Sequence, residues 1–210
     1  MQPLQAGWWS VPGALGFMTG SLLAPQLLRW VEPARVITGG LALACLGFAL
    51  LTQVGGDSAL AVLVTGSVIF SLGLSPVATL ITSAAPPARA GSAASISETS
   101  FELGGALGIA LLGSLVSALY RSAMLESPLP GVPADLAVVA RATLGGAQAA
   151  AAQLGGAGGE AVLQAARNAF AGGFRLTAGI SAALMLLTAI LSANLLSAPL
   201  HKVMGNEPAK

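Results

Sequence analysis

Five long apolar stretches alternate with short polar turns along the chain. None contains Asp, Glu, Lys or Arg; they run from Gly7 to Leu28, Val36 to Thr52, Ala59 to Ser83, Leu103 to Tyr120 and Leu176 to Ser197. Each is about long enough to cross a hydrocarbon core of roughly 30 Å as a helix. Lipid offers the backbone no hydrogen-bond partners, so such runs must be helical. The pattern predicts an all-α integral membrane protein with five transmembrane helices, at about 7–28, 36–52, 59–83, 96–120 and 174–198.

The segment 121–173, between the fourth and fifth predicted spans, carries its own helical pattern. Pro133 precedes Asp135, an acid suited to the first turn of a short helix. After a glycine-rich stretch, Glu160 to Phe170 has polar residues on one side and apolar residues on the other. We predict an external amphipathic hairpin, which is either a cap over the outer mouth or a connector lying in solvent or at the interface.

Basic residues occur at alternate short turns, which predicts the orientation of the chain. They are Arg29 and Arg35 in the first turn, Arg89 in the third, and Lys202 and Lys210 in the tail 199–210. By the positive-inside rule these segments face the cytoplasm. The N-terminus of this chain is then external, the C-terminus is cytoplasmic, and the protein is a multi-pass protein of the cell inner membrane.

The composition excludes several classes of function. Hydrophobic residues make up 55% of the chain and charged residues 8%, which fits one membrane bundle. The net charge is +1 and the nine Lys and Arg residues are scattered, so we expect no nucleic-acid partner. No zinc spacing, phosphate-binding loop or catalytic cluster is present, and Cys45 has no partner for an internal disulfide. We therefore expect no metal, no cofactor and no enzyme activity.

Two acids, Glu98 and Glu102, stand at the start of the fourth span and share a helix face because they are four residues apart. Their depth is near the cytoplasmic edge of the hydrocarbon. One hypothesis is that they take up and release protons during transport. The other is that they pair with Arg29, Arg35 or Arg89 and close an inner gate.

Small residues and a proline mark two further candidate positions. Ser75 and Pro76 lie near mid-depth of the third span, where a proline either opens a cavity by kinking the helix or forms a plain packing kink. Gly104 and Gly108 form a G-x-x-x-G pair in the fourth span, which predicts close packing of another helix.

Three stretches of the sequence resemble a known family. They are Leu4 to Gly7, Gly20 to Pro25, which leads into Arg29 and Arg35, and above all the run Ala90 to Gly108, which includes both acids. They resemble the major facilitator superfamily, and in particular the C-terminal portion of its fourteen-helix drug:proton antiporters.

The resemblance implies the C-terminal portion of a proton-coupled multidrug efflux transporter, which exports hydrophobic or cationic compounds in exchange for protons. Its partners would be the lipid bilayer, these substrates, protons and the missing N-terminal helices of the same transporter. Five helices make only a partial C-terminal bundle, and alternating access needs two bundles. The alternative is a non-transporting membrane fragment or an interaction subunit.

Overall fold

The computed structural model consists of helices joined by short turns. It describes the backbone of residues 3–83 and 87–204 and the side chains of residues 7–56, 58–80 and 88–195. No strand occurs within those residues, so the predicted all-helical fold is confirmed. The helices there are α1 (Pro3–Leu27), α2 (Pro33–Leu51), α3 (Ala59–Ser83), α4 (Ala90–Glu126), α5 (Ala134–Ala142), α6 (Leu144–Leu154) and α7 (Gly156–Met204). The end of the predicted tail, including Lys210, and the side chain of Lys202 lie outside the described residues.

Four of the described helices are long and apolar enough to cross a membrane. They are α2, α3 over Ala59–Leu80, α4, and α7 over Gly156–Leu195. Helix α1 has 25 residues, but it contains Pro12, Pro25 and Gln26 and does not reach the same mean hydropathy. A membrane span formed by α1, in addition to these four, therefore stays a prediction.

A first compact unit consists of α1, α2, α3, the start of α4 and the end of α7. Helix α3 packs against both α1 and α2. Glycines allow the close approach to α2: a Cβ built on Gly40 would lie 2.5 Å from the carbonyl oxygen of Gly73, and one on Gly47 would lie 2.8 Å from that of Gly66. Such small residues bring helix backbones together in a membrane, where packing drives association.

The end of α7 packs on α2 within the same unit. Ala189 of α7 forms a buried cluster with Leu41 of α2 and Val77 of α3. The thiol of Cys45, on α2, donates a hydrogen bond to the carbonyl oxygen of Ala182, on α7, at 3.3 Å. The free cysteine is therefore part of a helix–helix contact.

A second compact unit contains residues 54–57 and 101–177, and we call it the α5–α6 unit. Its core is rich in alanine and consists of Tyr120, Met124, Ala140, Ala147, Ala150, Val162, Ala166 and Ala169. The Tyr120 hydroxyl donates to the carbonyl oxygen of Ala140 at 2.7 Å, and Arg141 Nε donates to that of Met124 at 3.2 Å. These two hydrogen bonds tie the end of α4 to the end of α5, so the segment has a packed core of its own.

The helix boundaries differ from the predicted ones in this part of the chain. Helix α4 continues past Tyr120 to Glu126, and the second predicted helix of the hairpin is the beginning of α7, which runs on into the last apolar stretch as one helix of 49 residues. No proline interrupts α7 before Pro199, and Gly173 lies against α4, where a Cβ would be 3.3 Å from the carbonyl oxygen of Val116. With 37 residues, α4 is about 55 Å long and exceeds the hydrocarbon thickness.

Candidate functional site

Ser75 and Pro76, both predicted site residues, lie buried in the middle of α3. Proline has no N–H, so Pro76 cannot donate to the carbonyl oxygen of Leu72, four residues earlier. The Ser75 hydroxyl donates to that same oxygen at 3.1 Å. The serine thus replaces the backbone hydrogen bond that the proline removes, and the helix continues with its polar groups satisfied.

Helix α1 approaches α3 at this point through Gly20. A Cβ built on Gly20 would overlap the Ser75 hydroxyl and would lie 2.8 Å from the carbonyl oxygen of Leu72. Only a residue without a side chain fits there. The glycine therefore allows α1 to pack against the serine and proline of α3.

A cavity of about 330 Å³ opens beside this contact, between α1, α2 and α3, and we call it the Arg35 cavity. Its size lies at the lower end of the range for small-molecule sites. Its walls are almost entirely apolar and consist of Gly20, Leu23, Leu27, Val31, Arg35, Val36, Gly39, Gly40, Leu43, Leu72, Gly73 and Pro76. The structure thus brings two predicted site residues, Arg35 and Pro76, to one cavity.

Arg35 is the one charged residue among those that line the cavity. It sits in the first turn of α2, which begins at Pro33, a residue whose fixed φ suits that position. Arg35 Nε lies 3.3 Å from Oε2 of Glu32, and both side chains are largely exposed. An exposed pair of this kind contributes little to stability, so Arg35 can change partner at low cost.

The other predicted gate residues lie apart from this cavity. Arg29 and Arg89 are exposed, and neither lines the Arg35 cavity. Glu98 and Glu102 are exposed on α4, and no ion pair joins either acid to another described residue. Pairing of these acids with an arginine therefore stays a prediction.

The predicted packing motif of α4 makes no close helix contact with the described part of the chain. A Cβ built on Gly104 or on Gly108 would meet no atom within 4 Å. The described residues also contain no group of three or more His, Cys, Asp and Glu residues placed to hold a metal ion.

The glycines that pack α2 against α3 are not the G-x-x-x-G pair that the sequence pattern indicated. They are Gly40 and Gly47 on α2 and Gly66 and Gly73 on α3. The sequence does contain a signal for this contact. The two glycines of each helix are seven residues apart and therefore lie on one face of that helix. The sequence contains 27 glycines, however, and the spacing alone does not show which helix each pair meets.

A bundle of long apolar helices with a ligand-sized cavity between them defines the class: a multi-pass α-helical membrane protein. Comparison with known proteins gives the family. The chain is 32% identical over 193 residues to the multidrug efflux pump LfrA of Mycolicibacterium smegmatis, covering 90% of this chain and 38% of that pump. It is 30% identical over 196 residues to the methyl viologen resistance protein SmvA of Salmonella typhimurium, covering 90% and 39%.

A third relative is the puromycin resistance protein pur8 of Streptomyces alboniger, 34% identical over 121 residues, which cover 54% of this chain and 24% of that protein. No family model matches the chain. The chain is homologous to multidrug efflux pumps of the drug:proton antiporter type in the major facilitator superfamily, as its sequence indicated. It spans about two-fifths of the length of the first two relatives, which is consistent with a C-terminal portion.

Proposed function

We propose that this chain is the C-terminal portion of a proton-coupled multidrug efflux transporter that exports hydrophobic or cationic compounds. The observation that carries the proposal is the similarity to drug efflux pumps over 90% of the chain. The names of two relatives add methyl viologen, a cationic compound, and puromycin as compounds to which these proteins give resistance.

The Arg35 cavity supports the proposal from the structural side. Transport by alternating access requires helices that pack closely and shift against one another. Glycine contacts at Gly20 and Gly40 bring α1 and α2 close to the backbone of α3, and Pro76, the proposed bend of α3, lines the same cavity. Arg35 lines the cavity, and its ion pair with Glu32 is exposed, so this pair can be exchanged for a gate contact at low cost.

In this proposal α1 also crosses the membrane, which brings the number of spans to five. The α5–α6 unit is extracytoplasmic, the N-terminus of this chain is external and its C-terminus is cytoplasmic. Helix α4 is long enough for this arrangement, because at about 55 Å its two ends together extend roughly 25 Å beyond the hydrocarbon. The arginine turn of the Arg35 cavity then faces the cytoplasm, where basic residues are favoured.

The proposed role of Glu98 and Glu102 is to couple transport to protons or to close the inner gate. An acid that faces a water-filled path inside a bundle can exchange protons, whereas an acid facing lipid is costly. Neutral glutamine removes both the proton exchange and the ion pair while keeping the shape of the side chain.

The test is efflux of a cationic dye from energised cells that express the transporter at full length, with this chain as its C-terminal part. We expect efflux that collapses when the proton gradient is dissipated and that falls strongly in Glu98→Gln and Glu102→Gln. Glu126→Gln is the matched control, because Glu126 is an exposed acid on the same helix. Absence of proton-dependent efflux from the full-length protein would sink the proposal.

The same assay tests the alternative, a non-transporting membrane fragment or interaction subunit. Cells that express this chain alone should show no efflux if the missing helices are required. If the full-length protein is equally inactive in well-energised cells, the alternative replaces the transporter.

A further inference from the structure

The Arg35 cavity has the shape of a groove that follows the helices. Its lining on α2 reaches from Arg35, in the first turn, to Leu43, which is about 12 Å further along the helix axis. Leu23 and Leu27, which line it from α1, are 42% and 43% exposed, so its apolar wall reaches the surface of the helices. One leaflet of a bilayer contains about 15 Å of hydrocarbon. The groove therefore matches the upper part of a lipid acyl chain in length and in polarity.

Space inside the groove is left by a glycine. Gly39 lines it, and a Cβ built on Gly39 would meet no atom within 4 Å. The lining residues include no hydroxyl, amide or carboxylate side chain, so Arg35 provides the one polar side chain of the walls. An occupant must therefore have an apolar body and place its polar group beside Arg35.

The turn between α1 and α2, where the groove meets Arg35, carries more positive than negative charge. It contains Arg29, Arg35 and one acid, Glu32, whose Oε2 lies 3.3 Å from Arg35 Nε. Arg29 forms no ion pair with another described residue. The exposed pair of Arg35 with Glu32 contributes little, whereas an arginine holds a phosphate by two parallel hydrogen bonds. A phosphate group can therefore replace Glu32 as the partner of Arg35.

We propose that the Arg35 cavity binds an anionic phospholipid, with an acyl chain in the groove and the phosphate on Arg35. Basic pockets between membrane helices favour such headgroups. A zwitterionic lipid brings a positive ammonium group close to two arginines and gains less, and an organic cation is repelled by them. The inference rests on the chain being a multi-pass membrane protein and not on the proposed efflux function.

Trp30 offers a direct readout of lipid at this site. It follows Arg29 in the turn, adjoins the lining residue Val31 and is 89% exposed. The chain contains three tryptophans, so Trp8→Phe with Trp9→Phe leaves Trp30 as the only one. Brominated acyl chains quench the fluorescence of a nearby tryptophan.

The test compares two brominated lipids in phosphatidylcholine bilayers that contain this single-tryptophan chain. We expect brominated phosphatidylglycerol to quench Trp30 at a mole fraction lower by about fivefold or more than brominated phosphatidylcholine. This is about the effect of one arginine near an anionic lipid. Equal quenching by the two lipids would overturn the proposal.

Charge variants show whether Arg35 selects the phosphate. Arg35→Gln should remove most of the preference for phosphatidylglycerol, whereas Glu32→Gln should increase it, because the competing carboxylate is lost. Arg89→Gln is the matched control, since Arg89 is an exposed arginine of another turn and does not line the groove. Equal losses in Arg35→Gln and Arg89→Gln would show a general attraction of anionic lipid to positive charge and refute the site.

A second pair of variants changes the space in the groove and keeps the charge. Gly39→Leu places a side chain in the groove and should abolish most of the preference. Gly113→Leu is the control, because a Cβ on Gly113 also meets no atom within 4 Å but lies on α4, away from the lining. Helix content by circular dichroism checks that both fold. A preference that survives in folded Gly39→Leu would contradict an acyl chain in the groove.

Competition distinguishes a lipid from a free phosphate. Inorganic phosphate and glycerol phosphate carry the same charged group without an acyl chain, so a large excess of either should not relieve the quenching. Relief by either would indicate a small-anion site and overturn the lipid proposal.

The outcome is distinguishable from that of the efflux assay. A lipid preference that depends on Arg35, without dye export by the full-length protein, supports the lipid site and contradicts the efflux function. Export by a protein without this preference supports the efflux function and refutes the lipid site.

Discussion

Replacing Gly20 by alanine is expected to push α1 away from α3. A Cβ at Gly20 would overlap the Ser75 hydroxyl and lie 2.8 Å from the carbonyl oxygen of Leu72. Gly39 lines the same Arg35 cavity, but a Cβ there would meet no atom within 4 Å. The two substitutions add the same methyl group to the same cavity and differ in whether it meets another helix.

The magnitude follows from three contributions. Overpacking against a helix backbone costs about 1–3 kcal/mol. If the Ser75 hydroxyl rotates away to make room, it gives up its hydrogen bond to the carbonyl oxygen of Leu72, which is worth about 1 kcal/mol. Alanine gains about 1 kcal/mol over glycine in helix propensity, but Gly39→Ala gains the same amount. We therefore expect Gly20→Ala to be less stable than Gly39→Ala by about 2–4 kcal/mol.

The assay is equilibrium unfolding of the purified chain in mixed detergent micelles, with helix content as the readout. Ser75→Ala should partly rescue Gly20→Ala, because it removes the overlapping hydroxyl. When Gly20 is kept, Ser75→Ala alone should instead destabilise the chain, because the carbonyl oxygen of Leu72, to which Pro76 cannot donate, loses the Ser75 hydroxyl as its donor. Equal unfolding of Gly20→Ala and Gly39→Ala would refute the argument that α1 and α3 meet at a glycine contact.

Three further predictions concern the α5–α6 unit and the ion pair. Tyr120→Phe leaves a buried carbonyl of α5 without its donor, so it should cost about 1–3 kcal/mol and speed proteolysis after α4, whereas Ser117→Ala should not. Gly146→Ala should destabilise the unit more than Gly145→Ala, because only the Gly146 Cβ would overlap a carbonyl of α5. Arg35→Ala should leave unfolding nearly unchanged, since its ion pair is exposed, while lowering dye efflux if it serves the gate.

The apolar pattern predicts the helices in those segments that lie in the hydrocarbon core of the membrane. The predicted spans 7–28, 36–52 and 59–83 lie close to the bounds of α1, α2 and α3. For α4 and α7 the pattern predicts only the apolar part of each helix, and both helices continue beyond it into more polar sequence. Their extensions are stabilised by the alanine-rich core of the α5–α6 unit, and alanine is too weak a hydrophobic signal to reveal such a core in sequence.

The candidate site shows the same division between local and long-range information. Pro76 and Ser75 can be selected from sequence, because a proline inside a span must leave a carbonyl to be satisfied and a neighbouring hydroxyl can satisfy it. The contact of Gly20 with Ser75 depends on the packing of α1 against α3, to which residues 55 positions apart contribute. The Glu32 partner of Arg35 is local, three residues away, whereas the partners predicted for Arg35 were the distant acids Glu98 and Glu102.

Helix α4 carries the most specific part of the family resemblance, and it is the least buried of the four candidate membrane spans. The apolar side chains in its first half, such as Ile96 and Leu103, are exposed, as are Glu98 and Glu102. Lipid can cover isoleucine at no cost, but it cannot cover a carboxylate cheaply. The face that carries the acids therefore requires protein or water against it. The glycines of α4 at which a Cβ would meet no atom within 4 Å add a surface on which another helix can pack closely. If the chain is part of a longer transporter, as proposed, we expect helices of the missing portion to pack on this face.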